Sequence, residues 1–348
     1  MKKFFALTLA ACTLCPAFAT VASEDNEYQG FVLQHTHDLQ GVEGYDDIYL
    51  DEMPQKIVAL STYPVRTIYE MGANLIAVPV TTTMTYPEDL DAIVVPSVNS
   101  SNYDVELIVA MEPDLVIIAA TAMSVHGQTL KDAGIPVYGI GMSDTTGQMN
   151  VYEYMKHQTE VLTQAFAVTD EAKIKADEIM DTFAQLEERI DEVKPLFEDK
   201  TYVALSVASA TDYYLQGPNG TIGTMLSMLG WTDVFATDDE AEYIAHGMTG
   251  ILNLEEIVGI DMDKIFFLTS GAATLEEAAQ MAQDAKDSNP LVWNEVVPVK
   301  QGNEVALTSS YIVSAGIQIV DSINSLIDIL VEDIVLEDIL SQDILLQD

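Results

Sequence analysis

Between residues 169 and 194 the chain contains neither glycine nor proline, and Ile174, Ile179, Phe183, Leu186 and Ile190 recur at near-helical spacing among charged residues. This pattern predicts one long helix with an apolar face. The Thr169 hydroxyl can cap its start, Glu171 suits the positive end of the helix dipole, and Pro195 lies just past its stop. The helix divides the chain into two halves with the same alternation of elements.

In the first half, Lys56-Ile57-Val58-Ala59-Leu60-Ser61 is a continuous apolar run after Pro54, as a parallel strand buried on both faces requires. A helix through Thr67–Met71 ends at Gly72, and Leu75–Val78 gives the next strand. The pattern returns at Leu115–Ile118, a helical stretch to Asp132, and Gly134–Tyr138. In the second half, Tyr202–Val207 and Lys264–Leu268 read as strands, and Thr221–Leu229 as a helix stopped by Gly230. Strand-helix alternation with short links predicts an α/β fold of two parallel-sheet halves joined by one long helix. The halves also echo one another. Asp104–Val109 with Asp114 parallels Asn253–Val258 with Asp263, each pair of segments 149 residues apart, which points to an internal duplication.

Lys2 and Lys3 precede an apolar run from Phe4 to Cys15 that ends in Pro16-Ala17-Phe18-Ala19, the pattern of a secretory signal peptide cut after Ala19. Leu9-Ala10-Ala11-Cys12 offers the alternative, a lipoprotein anchored through Cys12. Both cysteines lie in this segment, so a chain cut after Ala19 carries no disulfide and no thiolate metal ligand. Residues around 30–33 and 48–50 read as an edge hairpin, with His35-Thr36-His37 in a solvated loop between them. At the other end, Asp328, Asp333, Asp338, Asp343 and Asp348 recur every five residues. A five-residue step rotates each aspartate by about 140° around a helix, so no clean apolar face results, and the helix is expected to belong to the fold only to about Leu330. The divisions are 1–19 signal peptide, 20–53 acidic segment and edge hairpin, 54–168 N-terminal lobe, 169–195 interlobe helix, 196–330 C-terminal lobe and 331–348 extension.

The 348 residues include 56 Asp and Glu against 14 Lys and Arg, a formal charge of −42. Such a chain lacks the cationic surface that displaces phosphate counterions, which excludes nucleic acid as a partner.

The Pro-Gln-Lys-Ile-Val-Ala-Leu-Ser start at Pro54, the helix ending Tyr69-Glu70-Met71-Gly72-Ala73, the box from Asp104 to Ile117 and the long central helix together resemble the solute-binding proteins of iron-chelate and cobalamin ABC importers. The resemblance covers roughly residues 30–330. Tyr213-Tyr214-Leu215, the segment from Gly220 to Gly230 and the Trp-containing stretch from Asn289 to Val305 extend it into the second half. Val78-Pro79-Val80-Thr81-Thr82 is similar to haem-binding members. The resemblance implies two parallel-sheet α/β lobes joined by one long rigid helix, with a ligand cleft between the lobes that closes only modestly on binding, in a non-enzymatic, exported or periplasmic monomer with no intrinsic cofactor. It implies haem or a ferric siderophore as the transported ligand, cobalamin as the alternative, and a permease and ATPase of the inner membrane as partners. It also implies that Glu106 and Glu255, one on each lobe, dock onto permease arginines. The helix dipole alone also accounts for a carboxylate in each of those first turns.

In an open parallel sheet the ligand lies beyond the carboxyl ends of the strands. The loops there carry Tyr63 and Arg66, then Met84 and Tyr86, then His126. From the second half come Tyr213 and Tyr214, His246 and Met248, and Tyr311. These residues supply aromatic walls, and His246 and Met84 are the candidates for axial ligation of a chelated iron. Arg66 is the only cation among these loops, which disfavours a trianionic ferric catecholate and suits a neutral hydroxamate, cobalamin, or haem with its propionates at the cleft mouth. No nucleophile elbow, phosphate-cradling glycine loop or zinc-protease signature appears. A metal-chelatase-like enzyme and a free-metal-ion binding protein stand as the readings of another class.

Overall fold

The computed structural model describes residues 30–96, 103–209, 212–235, 248–251 and 254–345. The signal peptide and lipobox at 1–19 and the ligand candidate His246 lie outside the described residues.

Seven strands precede the long helix: β1 Phe31–Leu33, β2 Ile48–Leu50, β3 Ile57–Leu60, β4 Leu75–Pro79, β5 Ile93–Val95, β6 Leu115–Ala119 and β7 Val137–Ile140. The last five form one parallel sheet in the order β5-β4-β3-β6-β7. Six follow: β8 Thr201–Val207, β9 Tyr213–Gln216, β10 Thr232–Asp233, β11 Met248–Ile251, β12 Lys264–Thr269 and β13 Glu304–Thr308. They form the second sheet, β11-β9-β8-β12-β13 with β10 beside β8. There β8, β10, β12 and β13 run parallel, while β9 and β11 add an antiparallel edge. The continuous apolar runs are explained by burial on both faces. Val58, Leu60, Val116 and Ile118 enter one core with Ile108 and Leu130, while Ile57, Ala59, Leu115 and Ile117 enter another.

That second core crosses between the lobes. It takes in Tyr202, Phe266 and Leu307 of the second sheet, Phe183, Leu186 and Ile190 of the helix Asp170–Val193, and Ile323, Leu326 and Ile327 of the C-terminal helix Gln318–Leu345. Thr169 caps the interlobe helix, accepting from the Ala172 N–H at 3.1 Å. Its buried face runs Ala172, Ile179, Phe183, Leu186, Ile190, a 7-4-3-4 spacing that keeps to one side of the helix. Ile174 is exposed instead, because five residues from Ile179 is about 140° round the axis.

The lobes repeat one local device. The Asp114 carboxylate accepts from the N–H groups of Gln55 and Lys56 at 2.8 and 2.9 Å, tying the start of β6 to the start of β3. Asp263 does the same for β12 and β8, accepting from the Thr201 N–H at 2.8 Å. The echo read from sequence thus has a physical counterpart: each aspartate sets the register of a central strand pair.

Two expectations change. The C-terminal helix continues through Leu345, and its fold-bearing part reaches beyond Leu330, since Val331 and Ile334 pack on the core and Asp333 pairs with Lys264 at 3.1 Å. His35-Thr36-His37 is not a solvated loop. His35 is 1% exposed and stacks on Tyr138 with ring centroids 4.3 Å apart, and buried Asp38 accepts from Thr36 at 2.7 Å and from Tyr154 at 3.1 Å. β1 and β2 pair with each other rather than with the large sheet, and Phe31 packs on Phe166 of the helix Val151–Phe166. Among the described residues no three His, Cys, Asp or Glu side chains are placed to hold one metal ion.

Burial lowers the His35 pKa against the opposing pull of Asp47 and Asp46, with Lys131 lowering it further. The native state therefore favours neutral His35, and the unfolded chain takes the proton first. This contribution to stability is complete above about pH 6.5 and is lost as pH falls below it. In thermal melts between pH 7 and 5, His35→Phe, which keeps the stacked ring, is expected to remove a measurable part of the wild-type decline in Tm; an unchanged slope would assign the decline to other groups.

Candidate functional site

A cavity of about 500 Å³ lies between the lobes. The N-terminal lobe contributes Arg66, from the helix Val65–Glu70 after β3, and the loop 84–87 after β4. The C-terminal lobe contributes 273–275 after β12 and Thr308, Ser310 and Tyr311 after β13. Gln318, Asp321, Ser322 and Ser325 of the C-terminal helix complete the wall. All the loops involved follow carboxyl ends of parallel strands, where an α/β sheet places its ligands.

Cross-lobe contacts frame this space. Ser309 donates to the Thr82 carbonyl at 3.2 Å, and the Gln318 amide donates to the Thr83 carbonyl at 3.1 Å. Gly316 has φ +55°, and a Cβ there would stand 2.3 Å from the Tyr63 carbonyl oxygen. Only glycine lets the segment entering the C-terminal helix lie against that backbone.

The sequence-derived candidates separate into three groups. Arg66, Met84, Tyr86 and Tyr311 come together on the cavity wall. The Tyr86 hydroxyl is committed to the Pro79 carbonyl, so its ring rather than its oxygen faces a ligand. Burial pushes the phenols of Tyr86 and Tyr311 above their ordinary value, which keeps both protonated and suits them as walls rather than as phenolate ligands of iron.

Tyr63, His126 and Tyr213 are instead core groups. Tyr63 is buried in the shared core, and burial raises its phenol far above the usual range. His126 sits in a π-helical turn, Met123–Gly127, and its Nε2 accepts from the Tyr103 N–H at 3.3 Å. Tyr213 is 1% exposed, packs edge-on against Trp293 and donates to the Ala285 carbonyl at 3.1 Å. Tyr214, on the other face of β9, is half-buried and outside the cavity wall. Met248 opens β11 opposite Gln216. Glu106, in the first turn of the helix Val105–Ala110, and Glu255, in the 3-10 turn Leu254–Ile257, are both exposed.

Sequence reasoning missed the loop 273–275 and the start of the C-terminal helix. The loop was findable as the segment after strand β12. Gln318, Ser322 and Ser325 carry no signal that separates them from an ordinary helix surface.

Arg66 is the one cation on the wall, and it is already engaged. Its Nε donates to Glu70 at 2.7 Å and its Nη1 to Asp321. Burial opposes the guanidinium charge, but these two carboxylates outweigh it and raise the pKa.

A family profile described as "Periplasmic binding protein" matches residues 57–310. An uncharacterized ABC transporter substrate-binding lipoprotein, YvrC of Bacillus subtilis, is 24% identical over 294 residues, covering 82% of this chain and 83% of the relative. A cobalamin-binding protein of Halobacterium salinarum is 25% identical over 276 residues, covering 79% and 69%. Among solved structures, the iron uptake ABC transporter substrate-binding protein PiuA of Streptococcus pneumoniae superposes with a TM-score of 0.59 at 22% identity, covering 80% of this chain and 93% of that one. This likeness shows the shared fold.

His126→Ala is expected to destabilise the chain by about 1–3 kcal/mol, because the Tyr103 N–H loses its buried acceptor. Chelate affinity measured below the variant's Tm should stay within about twofold of wild type; a tenfold loss with native stability would place His126 at the ligand instead.

Proposed function

The chain belongs to the periplasmic binding protein family, and we propose that it is the monomeric, exported substrate-binding component of an ABC importer that carries a metal chelate in the interlobe cavity. The observation that carries this reading is the cavity itself. Its volume suits a drug-sized ligand, and it combines the ring of Tyr86, Tyr311 and the thioether of Met84 with uncharged hydroxyl and amide groups. A flat or globular organic complex needs such a surface: apolar walls for its body and a few neutral polar groups for orientation.

A ferric siderophore or haem is the first reading of the chelate. The PiuA likeness supports iron. Cobalamin is the second, favoured by the neutral polar lining and by the cobalamin-binding relative. Met84 and Tyr86 are the residues we assign most directly to ligand contact, with Tyr311, 3% exposed and part of the shared core, backing the wall from the other lobe. His246 keeps its place as an axial-ligand candidate on sequence grounds alone.

Delivery requires docking to a permease. Glu106 and Glu255, exposed and placed ahead of the equivalent strands β6 and β12, are assigned to that contact. The YvrC relative supports an exported envelope protein, either cut after Ala19 or anchored through Cys12.

Two measurements test this. Fluorescence and absorbance titration with haemin, a ferric trihydroxamate and cyanocobalamin should give saturable micromolar or tighter binding of at least one, and Tyr86→Ala should weaken it by tenfold or more, about 1.4 kcal/mol. No binding of any of the three below about 100 μM would overturn the chelate reading. Separately, Glu106→Arg with Glu255→Arg should abolish ligand-dependent uptake in cells while leaving binding of the purified protein within about twofold; undiminished uptake would remove both residues from the docking surface.

A further inference from the structure

We infer that the interlobe cavity selects a chelate bearing no net negative charge, and that Asp321 is the residue that sets this selectivity. The inference rests on the proposed chelate-binding role of the cavity and narrows it to a charge class, which sets ferric hydroxamates and cobalamin ahead of haem.

Only two of the cavity-lining residues are charged, Arg66 and Asp321, and they are paired to each other. Glu70 holds the same guanidinium from the adjacent turn at 2.7 Å. One cation is thus shared by two carboxylates, and the local balance is negative. Among the described residues no other basic side chain lines the cavity. Outside residues 1–29 every lysine and arginine is described, and none except Arg66 lines the cavity. Residues 97–102, 210–211, 236–247 and 252–253 contain no lysine or arginine.

An anionic ligand that recruits Arg66 must displace Asp321. It then sits beside a carboxylate left without its partner, which reverses most of the gain. The chain's formal charge of −42 adds long-range repulsion to its approach. A cationic complex meets the opposite situation, because Asp321 is 60% exposed and able to face it without leaving Arg66 unpaired, Glu70 remaining bound. An uncharged complex needs no ion at all. Thr274, Thr308, Ser310, Gln318, Ser322 and Ser325 supply neutral polar groups around the apolar wall.

Because the Arg66–Asp321 pair is partly exposed, the discrimination is finite, on the order of tenfold per unit of ligand charge. The purified full-length protein would be titrated with five probes: ferrioxamine B, a cationic ferric trihydroxamate; ferrichrome, an uncharged one; cyanocobalamin, uncharged; haemin, with two carboxylates; and a trianionic ferric tris-catecholate. Wild type should bind at least one of the first three about tenfold tighter than haemin, which carries one net negative charge, and thirtyfold or more tighter than the catecholate. Asp321→Asn should tighten the anions by fivefold or more relative to an uncharged ligand, and weaken ferrioxamine B relative to the same reference. Asp321→Ser, which also removes the charge, should give the same ranking, and thermal melts of both variants confirm the fold.

Wild-type preference for haemin or the catecholate, or an equal change in all affinities on Asp321→Asn, would overturn the charge-class inference while the chelate-binding role stands. Binding of none of the five would overturn both.

Discussion

The apolar seam beneath the interlobe helix governs the architecture. Phe183, Leu186 and Ile190 are buried against a cluster that also holds Tyr202 and Phe266 from one sheet, Ile57 and Ile117 from the other, and Ile323, Leu326 and Ile327 from the C-terminal helix. Fully burying one such side chain contributes about 1.5–3 kcal/mol. Separating the lobes would expose the whole seam at once, so large hinge opening is costly. The cavity is accordingly preformed, and its walls come from elements anchored in a common core.

Ion pairs brace the same seam from outside. Arg66 reaches Asp321 from the N-terminal lobe, Arg189 reaches Asp328 from the interlobe helix, and Lys264 reaches Asp333 from the second sheet. Three parts of the chain thus tie to separate points along one helix. Partly exposed pairs of this kind are individually weak, so their main effect is to fix the rotation and register of the C-terminal helix on the apolar seam. In a chain with so few cations, committing both arginines to this helix also leaves the cavity with no free positive charge.

Much of this was legible in the sequence, and the failures have definite causes. Buried strands such as Ile57–Leu60 and Leu115–Ala119 advertise themselves because both faces must be apolar. The interlobe helix did so through its missing glycines and prolines. Ile174 was assigned to the buried face because near-helical spacing tolerates a five-residue step by eye, whereas the rotation does not. His35 and Thr36 were read as solvated because their partners, Tyr138 and Tyr154, lie more than a hundred residues away. At the site, Arg66, Met84, Tyr86 and Tyr311 were found by residue chemistry combined with the strand-end rule. Tyr213 and His126 satisfied the same criteria and proved to be core, since chemistry names a residue type but not the direction it faces. Serines on a helix carry no such mark, so half of the cavity's polar wall was invisible.

The duplicated aspartate contact explains how the two lobes could keep one plan while diverging at the cavity. Asp114 and Asp263 act at the amino ends of β6 and β12, where each fixes the register with the adjacent central strand. Once register is fixed there, the opposite strand ends are carried into position whatever loops they bear. The N-terminal lobe uses that freedom for Met84 and Tyr86, and the C-terminal lobe for the short polar loops after β12 and β13. Glu106 and Glu255 precede these same anchored strands in both lobes, so the constraint that keeps them equivalent is separate from the one that shapes the ligand site. A binding protein built this way can change its cargo through the carboxyl-end loops without disturbing the surface assigned to the permease.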